Sequence, residues 1–239
     1  VTYSATQNAL LLIECGDTIC TDANRTITTI DTGSGDIGRS ARLLLDASDN
    51  IYVAYRDHAG GNLLLLSCGA SCATSASNQT ALVAGLGGDA GWHVDMALDS
   101  ANNQIKLVYR DDSDPVLANW TVDYAFCDLS PLSCNAPVVI DTVGAAGGFP
   151  AIGLSTTPGN EGVPVIAYRD GVAIAPRLAR CGSTACNSTA IIGTLGTFGL
   201  TYGYFNQITS DGTTLYMARY DINPGAGNDN LVTITCPAD

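Results

Sequence analysis

The sequence is poor in positive charge and in charge of any kind. Lysine occurs once, at Lys106, beside nine arginines, and charged residues make up 14% of the 239 positions. Aspartate and glutamate outnumber lysine and arginine by 23 to 10, which gives a formal net charge of −13. Because an acidic surface repels phosphate groups, we expect neither nucleic acid nor anionic membrane surfaces as partners.

Long hydrophobic segments and helical patterns are also missing. No apolar run approaches the roughly 20 residues that a membrane-spanning helix needs, so we expect no membrane insertion. Apolar residues nowhere recur with the 3.6-residue period of an amphipathic helix; short alternating segments dominate and predict β-strands. The first residue is Val1 rather than methionine, from which we expect a processed chain or a fragment of a longer one.

A repeated sequence organises the whole chain. In each unit an apolar stretch with a turn of Asp, Asn or Gly precedes a segment that contains tyrosine, arginine and aspartate, and a strand ending in cysteine follows. These Tyr-Arg-Asp segments are Ile51–Asp57, Ile105–Asp111, Val163–Asp170 and Leu215–Asp221, the last with arginine and tyrosine exchanged. A period in the fifties with four short strands per unit is typical of β-propeller blades.

We therefore predict an all-β fold, a β-propeller of four to five blades, each with four antiparallel strands A to D. Counting gives B-C-D, three complete units and A-B-C, eighteen strands in all. The A and B strands resemble a repeat of secreted microbial β-propellers with the pattern sLALDsdGnPhIAYrD, and this resemblance implies the fold only. One domain is expected over residues 1–239, with a partial blade at 1–32 and repeats at about 38–86, 91–143, 148–196 and 203–239.

The cysteines indicate disulfide-clipped hairpins. Nine cysteines form four close pairs, each around the connection between strands C and D, and leave Cys236 unpaired. Zinc is the alternative for such spacing, but a zinc site needs about four ligands together, and these pairs fall in different blades. Disulfides indicate an oxidising compartment, so we expect an extracellular, secreted or cell-surface protein. The predicted pairs are Cys15–Cys20, Cys68–Cys72, Cys127–Cys134 and Cys181–Cys186.

Asn-x-Ser/Thr sequons predict glycosylation. Three of the four sequons closely follow the second cysteine of a pair, so their glycans are expected on the disulfide side of the ring. These three are Asn24, Asn78 and Asn187, and the fourth sequon is at Asn119.

A glycine followed by a large residue begins each complete strand A. The large residues are Arg39, Trp92, Phe149 and Tyr204. They are a candidate ligand face that could ring the channel mouth and stack on sugars. We favour the alternative that they pack between neighbouring blades, because a feature of every repeat usually serves the repeat. For the Tyr-Arg-Asp segments we likewise favour a structural role, in which an Arg–Asp pair fixes the hairpin turn.

Catalytic and metal-binding motifs are not found in the sequence. His93 interrupts the repeat, since Ser40, Pro150 and Phe205 occupy its position elsewhere, and we interpret it as a hydrogen-bonded structural residue beside an aspartate. We assign no catalytic residue and no metal ligand, and we predict that the chain is not an enzyme. No cofactor is expected, although an acidic turn such as the one at Asp46 is compatible with calcium.

Three functions remain open. The main prediction is an extracellular structural or adhesive subunit: incomplete end blades leave strand edges that another copy can complete, and repetition of that contact gives a filament. The first alternative is a secreted carbohydrate-binding propeller module. The second alternative is a glycan-active propeller hydrolase, which would need a pair of carboxylates in the channel.

Overall fold

The chain folds as an all-β propeller, as the sequence predicts. The computed structural model describes residues 1–33, 35–72, 78–85, 88–145, 147–188, 191–195, 204–211, 214–221 and 230–237. In these residues there are nineteen β-strands in five antiparallel sheets, two short 3-10 turns at Asp22–Asn24 and Leu117–Asn119, and no α-helix. No helix in this part of the chain is long and apolar enough to cross a membrane.

The strands succeed one another along the chain without crossovers between sheets. Their bounds are β1 Thr2–Ser4, β2 Ala9–Cys15, β3 Arg25–Thr32, β4 Ile37–Leu45, β5 Ile51–Asp57, β6 Asn62–Cys68, β7 Gln79–Ala84, β8 Trp92–Asp99, β9 Gln104–Asp111, β10 Thr121–Leu129, β11 Leu132–Cys134, β12 Val138–Thr142, β13 Gly148–Leu154, β14 Pro164–Asp170, β15 Ala175–Arg180, β16 Ile191–Thr194, β17 Tyr204–Ser210, β18 Thr214–Asp221 and β19 Asn230–Pro237.

Each sheet corresponds to one sequence repeat. The sheets are β1–β3, β4–β7, β8–β12, β13–β16 and β17–β19, and neighbours within them pair antiparallel. The predicted count of eighteen strands is wrong by one, because β11 is an additional short strand. It lies inside the Cys127–Cys134 loop, which is the longest of the four disulfide loops and has room to pair back onto β10.

The core lies between successive sheets. Side chains on one face of β5, such as Val53 and Tyr55, join Leu10 of the first sheet in one cluster. On its other face, Tyr52 and Ala54 join a cluster with the third sheet. Because alternate side chains of a strand point to opposite faces, a strand covered on both sides must be apolar throughout. This is why the Tyr-Arg-Asp segments begin as nearly continuous apolar runs.

Glycine begins strand A for a steric reason. Gly91 and Gly148 have φ values of +91° and +95°, and a Cβ on Gly148 would lie 2.7 Å from Cδ of Arg110. A β-bulge follows, in which His93 also has a positive φ of 54°. Bulges re-aim side chains, and these bulges determine which residues of strand A reach the centre of the propeller. Gly203, the glycine of the last unit, lies outside the described residues.

Two arginines of the Tyr-Arg-Asp segments connect blades, a role that was not expected from the sequence. Arg56 Nε donates to the carbonyl of Ala90 in the next sheet, at 3.0 Å, and Arg110 also donates to the next sheet. In the first segment the aspartate holds the turn, since Asp57 accepts a hydrogen bond from the backbone N–H of Gly60. The expected local pair of arginine and aspartate forms in two other units, between Arg110 and Asp112 and between Arg219 and Asp221.

Disulfides clip the hairpins at the outer strands. The four bonds are Cys15–Cys20, Cys68–Cys72, Cys127–Cys134 and Cys181–Cys186. Each closes a loop of only a few residues, so each lowers the entropy of the unfolded chain by a modest amount, worth roughly 2 kcal/mol.

The first and last sheets each contain three strands in the described part of the chain. Packing between sheets joins β1 and β2 to β4, β4 to β8, β8 to β13, and β13 to β17. No comparable packing joins the first sheet to the last among the described strands. Both end sheets expose apolar side chains on their outer faces, with Ile27 50% exposed and Leu231 75% exposed.

Candidate functional site

A pocket of about 230 Å³ lies where the first strands of four sheets converge. These strands are β4, β8, β13 and β17, so the pocket lies at the centre of the propeller, and we call it the axial pocket. Each strand contributes residues just after its opening bulge. The lining residues are Ser40, Ala41, Arg42, His93, Val94, Phe149, Pro150, Phe205 and Asn206.

Arg42 is the charged residue among those that line the axial pocket, and it pairs with Asp95, which does not itself line the pocket. Arg42 Nε lies 3.4 Å from Oδ1 of Asp95, whose side chain is 16% exposed. The other carboxylate oxygen accepts a hydrogen bond from the backbone N–H of Ile152 at 3.1 Å. Burial raises the pKa of Asp95, while the Ile152 N–H and the Arg42 charge act in the opposite direction. Asp95 is thus a fixed carboxyl whose neutral form is favoured by its surroundings.

His93 is a neutral, polar aromatic wall of the axial pocket. Burial, followed by the charges of Arg110 and Arg42, lowers its pKa to about 4. At neutral pH the ring therefore has one donor and one acceptor nitrogen and carries no charge. The centroid of its ring lies 4.2 Å from that of Phe149, so His93 packs directly against the other aromatic rings of the site.

Two phenylalanines form the apolar side of the axial pocket. Phe149 and Phe205 have ring centroids 5.2 Å apart at an interplanar angle of 62°. Phe205 is 65% exposed, and Asn206 next to it is fixed by donating from Nδ2 to the carbonyl of Phe149 at 2.8 Å. An exposed ring beside a fixed carboxamide and an ion pair is an amphipathic wall, apolar on one side and hydrogen-bonding on the other.

Of the four residues predicted as a ligand face, only Phe149 lines the axial pocket. Arg39 instead pairs with Asp36 at 2.5 Å. Trp92 lies farther out, against the guanidinium of Arg56 at 4.2 Å from the ring centroid. Tyr204 packs behind Phe149 at 4.9 Å. Of the predicted ligand face, Phe149 therefore reaches the pocket, whereas Trp92 and Tyr204 pack at blade junctions and Arg39 forms an ion pair.

Arg42, Phe205 and Asn206 line the axial pocket but were not predicted as site residues from the sequence. Arg42 and Asp95 occupy equivalent positions of two units, and their opposite charges pair only across the β4–β8 junction. The sequence signal that points to this site is the break in the repeat at His93. Phe205 occupies the same bulge position in the last unit, and both residues line the pocket. Repeated positions serve the repeat, whereas the pocket is built from positions where the units differ.

The remaining predicted sites lie on the outer parts of the blades. Asn24, Asn119 and Asn187 are exposed and Asn78 is half-buried. The side chain of Cys236 lies outside the described residues. At the acidic turn, Asp46 Oδ1 accepts hydrogen bonds from the backbone N–H groups of Ser48 and Asn50. In the described residues no three His, Cys, Asp or Glu side chains are grouped to hold a metal ion.

Comparison with known proteins relates the chain to other propellers by structure alone. No known protein family matches the sequence, and no curated protein matches it either. A solved exo-β-1,3-galactanase from Phanerochaete chrysosporium, with bound β-1,3-galactotriose, is similar to it with a TM-score of 0.52 and 10% identity. A GH43 endo-arabinanase from Bacillus licheniformis is similar with a TM-score of 0.51 and 10% identity.

The extent of these matches differs between the two structures. The galactanase match covers 94% of this chain and 51% of the galactanase chain, so this chain spans about half the length of that protein. The arabinanase match covers 86% of this chain and 74% of the arabinanase. At 10% identity the likeness establishes the propeller fold.

The prediction that the chain is not an enzyme is contradicted by these matches. The similar structures are a galactanase and an arabinanase, both named for the cleavage of glycans. The prediction rested on the absence of short catalytic motifs from the sequence. In a propeller, the residues of a central site come from different blades and need not form a motif along the chain.

Proposed function

We propose that the chain is an extracellular, glycan-active propeller that holds a sugar residue in the axial pocket. The observation that carries this proposal is the pairing of an exposed aromatic wall with fixed polar groups at the propeller centre. A pyranose ring has an apolar face of C–H groups and an edge of hydroxyls. Phe205 and Phe149 suit the face, while Arg42 and Asn206 suit the hydroxyls.

The four disulfides support the extracellular part of the proposal, because they persist in oxidising compartments. The names of the similar structures support the glycan part, since a galactanase and an arabinanase share this fold. Oligosaccharides of galactose and of arabinose are therefore the first probes. Binding of either one by the wild type, and its loss in Phe205→Ala, is the expected result in a titration.

Hydrolysis of the bound glycan would need a proton donor, and the candidate is Asp95, which pairs with the lining residue Arg42 but does not itself line the pocket. A glycosidase needs a carboxyl that is protonated at the working pH and, in most families, a second carboxylate. Burial raises the pKa of Asp95, as a proton donor requires. Among the described residues, no carboxylate lines the axial pocket itself. Sugar binding is therefore the step that the geometry supports best, and release of reducing ends, lost in Asp95→Asn, tests the chemical step.

A second candidate function is self-association through the end sheets, which would produce a filament of structural or adhesive subunits. The last sheet forms a groove, and the lining residues that point to its outer face include Tyr216, Ala218 and Thr233. The outer face of the first sheet carries Ile27, which is half exposed. A second copy could place its first sheet on this groove, and a contact between two different surfaces can repeat.

A further inference from the structure

A path of aromatic rings continues outward from the axial pocket. The ring centroid of Trp92 lies 6.5 Å from that of His93, and the ring of His58 lies 5.7 Å beyond Trp92. Neither Trp92 nor His58 lines the axial pocket. Together with the pocket rings His93, Phe149 and Phe205 they form one connected row on the face where strands A begin. We call this row the aromatic path.

The outer part of the aromatic path is held rigidly. The guanidinium of Arg56 lies 4.2 Å from the centroid of Trp92, and its Nε is fixed by the carbonyl of Ala90. Arg56 also pairs with Asp89 and contacts Nδ1 of His58. Trp92 nevertheless remains only half-buried. A partly exposed indole that is fixed from beneath offers a stacking surface at little entropic cost on binding.

The path also departs from the repeat. The position of Trp92 is Arg39 in the preceding unit and Phe149 in the following one, and the position of His58 carries a histidine only in this unit. Both residues therefore differ from their counterparts at the one junction that adjoins the Arg42–Asp95 pair. Stacking of the segment arginine on a ring recurs at Arg169 and Tyr204, at 4.7 Å, whereas the indole and the histidine occur together at this junction alone. There they extend the axial pocket toward the rim.

We infer that the axial pocket and the aromatic path together bind a glycan chain of several sugar units rather than a single terminal sugar. This inference rests on the proposed glycan function. One sugar occupies the axial pocket against Phe149 and Phe205, and the following units run over His93 and Trp92 toward His58. The ring-to-ring distances of 4.2 to 6.5 Å are comparable to the length of one pyranose unit, so successive sugars meet successive rings.

The test is a titration with β-1,3-galacto-oligosaccharides and arabino-oligosaccharides of increasing length. We expect the wild type to bind a tetrasaccharide about tenfold more tightly than a disaccharide, since each aromatic contact adds a modest increment. Trp92→Ala should lose this gain and keep the affinity for the disaccharide. Trp92→Phe, which keeps a ring, should restore part of the gain and guards against a folding defect in Trp92→Ala.

Trp120→Ala is the matched control. It removes the other tryptophan of the chain, whose ring also stacks on an arginine, Arg110, at 4.9 Å, but lies off the aromatic path. The gain in affinity from disaccharide to tetrasaccharide should be the same for Trp120→Ala as for the wild type. Equal affinity for all lengths, or an unchanged gain in Trp92→Ala, would overturn the inference and leave the axial sugar site standing. Failure of every oligosaccharide to bind the wild type would instead overturn the proposed function together with the inference.

Discussion

A tyrosine hydroxyl that bonds to the preceding blade elsewhere in the chain has no acceptor among the described residues at the junction of the second and third sheets, where the buried carboxyl of Asp123 lies. Tyr55 donates to Asp31 of the preceding sheet at 2.5 Å, and Tyr168 donates to Asp141 in the same way at 2.7 Å. At the corresponding junction of the second and third sheets the acceptor position is Ala84 by register, and the hydroxyl of Tyr109 is buried without a partner. The loss of one acceptor thus leaves a polar group unsatisfied in the core.

Asp123 lies directly across from Tyr109 in the pairing of β9 and β10. Its side chain is 6% exposed and accepts one hydrogen bond, from the hydroxyl of Thr121 at 2.7 Å. Burial raises its pKa from 3.8 to about 7, and the nearby charge of Asp111 adds to the effect. The folded chain therefore keeps this proton at pH values where the unfolded chain has released it.

We predict that Asp123→Asn removes a pH dependence of stability. Between about pH 4 and pH 7, the raised pKa makes the fold less stable by about 1.4 kcal/mol for each unit of rising pH. From pH 5 to pH 8 the wild type should lose about 2.6 kcal/mol more than Asp123→Asn, as measured by urea unfolding. Asp128→Asn, an exposed change on the same strand, is the control. An equal loss in the wild type and Asp123→Asn would contradict the raised pKa.

At the scale of strands and hairpins, the sequence repeat predicts most of what is observed. The Tyr-Arg-Asp segments become β5, β9, β14 and β18, and the disulfide hairpins fall where the cysteine pairs do. The repeat could not predict β11, because the extra length is confined to one loop. The repeat also could not predict the axial pocket. A β-bulge determines which residue of strand A faces the centre, and the conformation of the bulge depends on steric contacts around the preceding glycine.

We predict N-linked glycans on the disulfide hairpins. Asn24 and Asn187 are exposed close after Cys20 and Cys186, and Asn78 donates from Nδ2 to the carbonyl of Cys72 at 3.3 Å. A glycan on Nδ2 retains one N–H and so permits such a hydrogen bond. Mass spectrometry of glycopeptides from the native protein should find sugar on all three residues. Unmodified asparagine at every one of these positions would rule out the shared hairpin site.

At the scale of the whole molecule, the two end sheets differ from the three between them. Inner sheets are covered on both faces, whereas the outer faces of the first and last sheets are exposed in this chain. Exposed apolar sheet faces and unpaired strand edges favour association. The repeat pattern predicted this openness through its missing A and D strands, while the identity of the exposed side chains depends on the strand register.

We predict that Leu231→Arg disrupts self-association, because it places a charge on the most exposed apolar residue of the last sheet. Light scattering should find assemblies for the wild type that grow with concentration, and monomers for Leu231→Arg. Val172→Arg, a similar change at a residue that is 65% exposed in a loop of the fourth sheet, is the control and should assemble normally. A monomeric wild type at high concentration would refute assembly through these faces.

The central claim, a sugar site in the axial pocket, is tested most directly by titrating the wild type and Phe205→Ala with β-1,3-galactotriose and arabinotriose. Val172→Ala is the matched control, because Val172 and Phe205 are equally exposed, at 65%, and only Phe205 lines the pocket. We predict that the wild type and Val172→Ala bind one trisaccharide with equal affinity and that Phe205→Ala binds it at least tenfold more weakly, a loss of about 1.4 kcal/mol. Unchanged binding by Phe205→Ala, or no binding by the wild type, would contradict the claim.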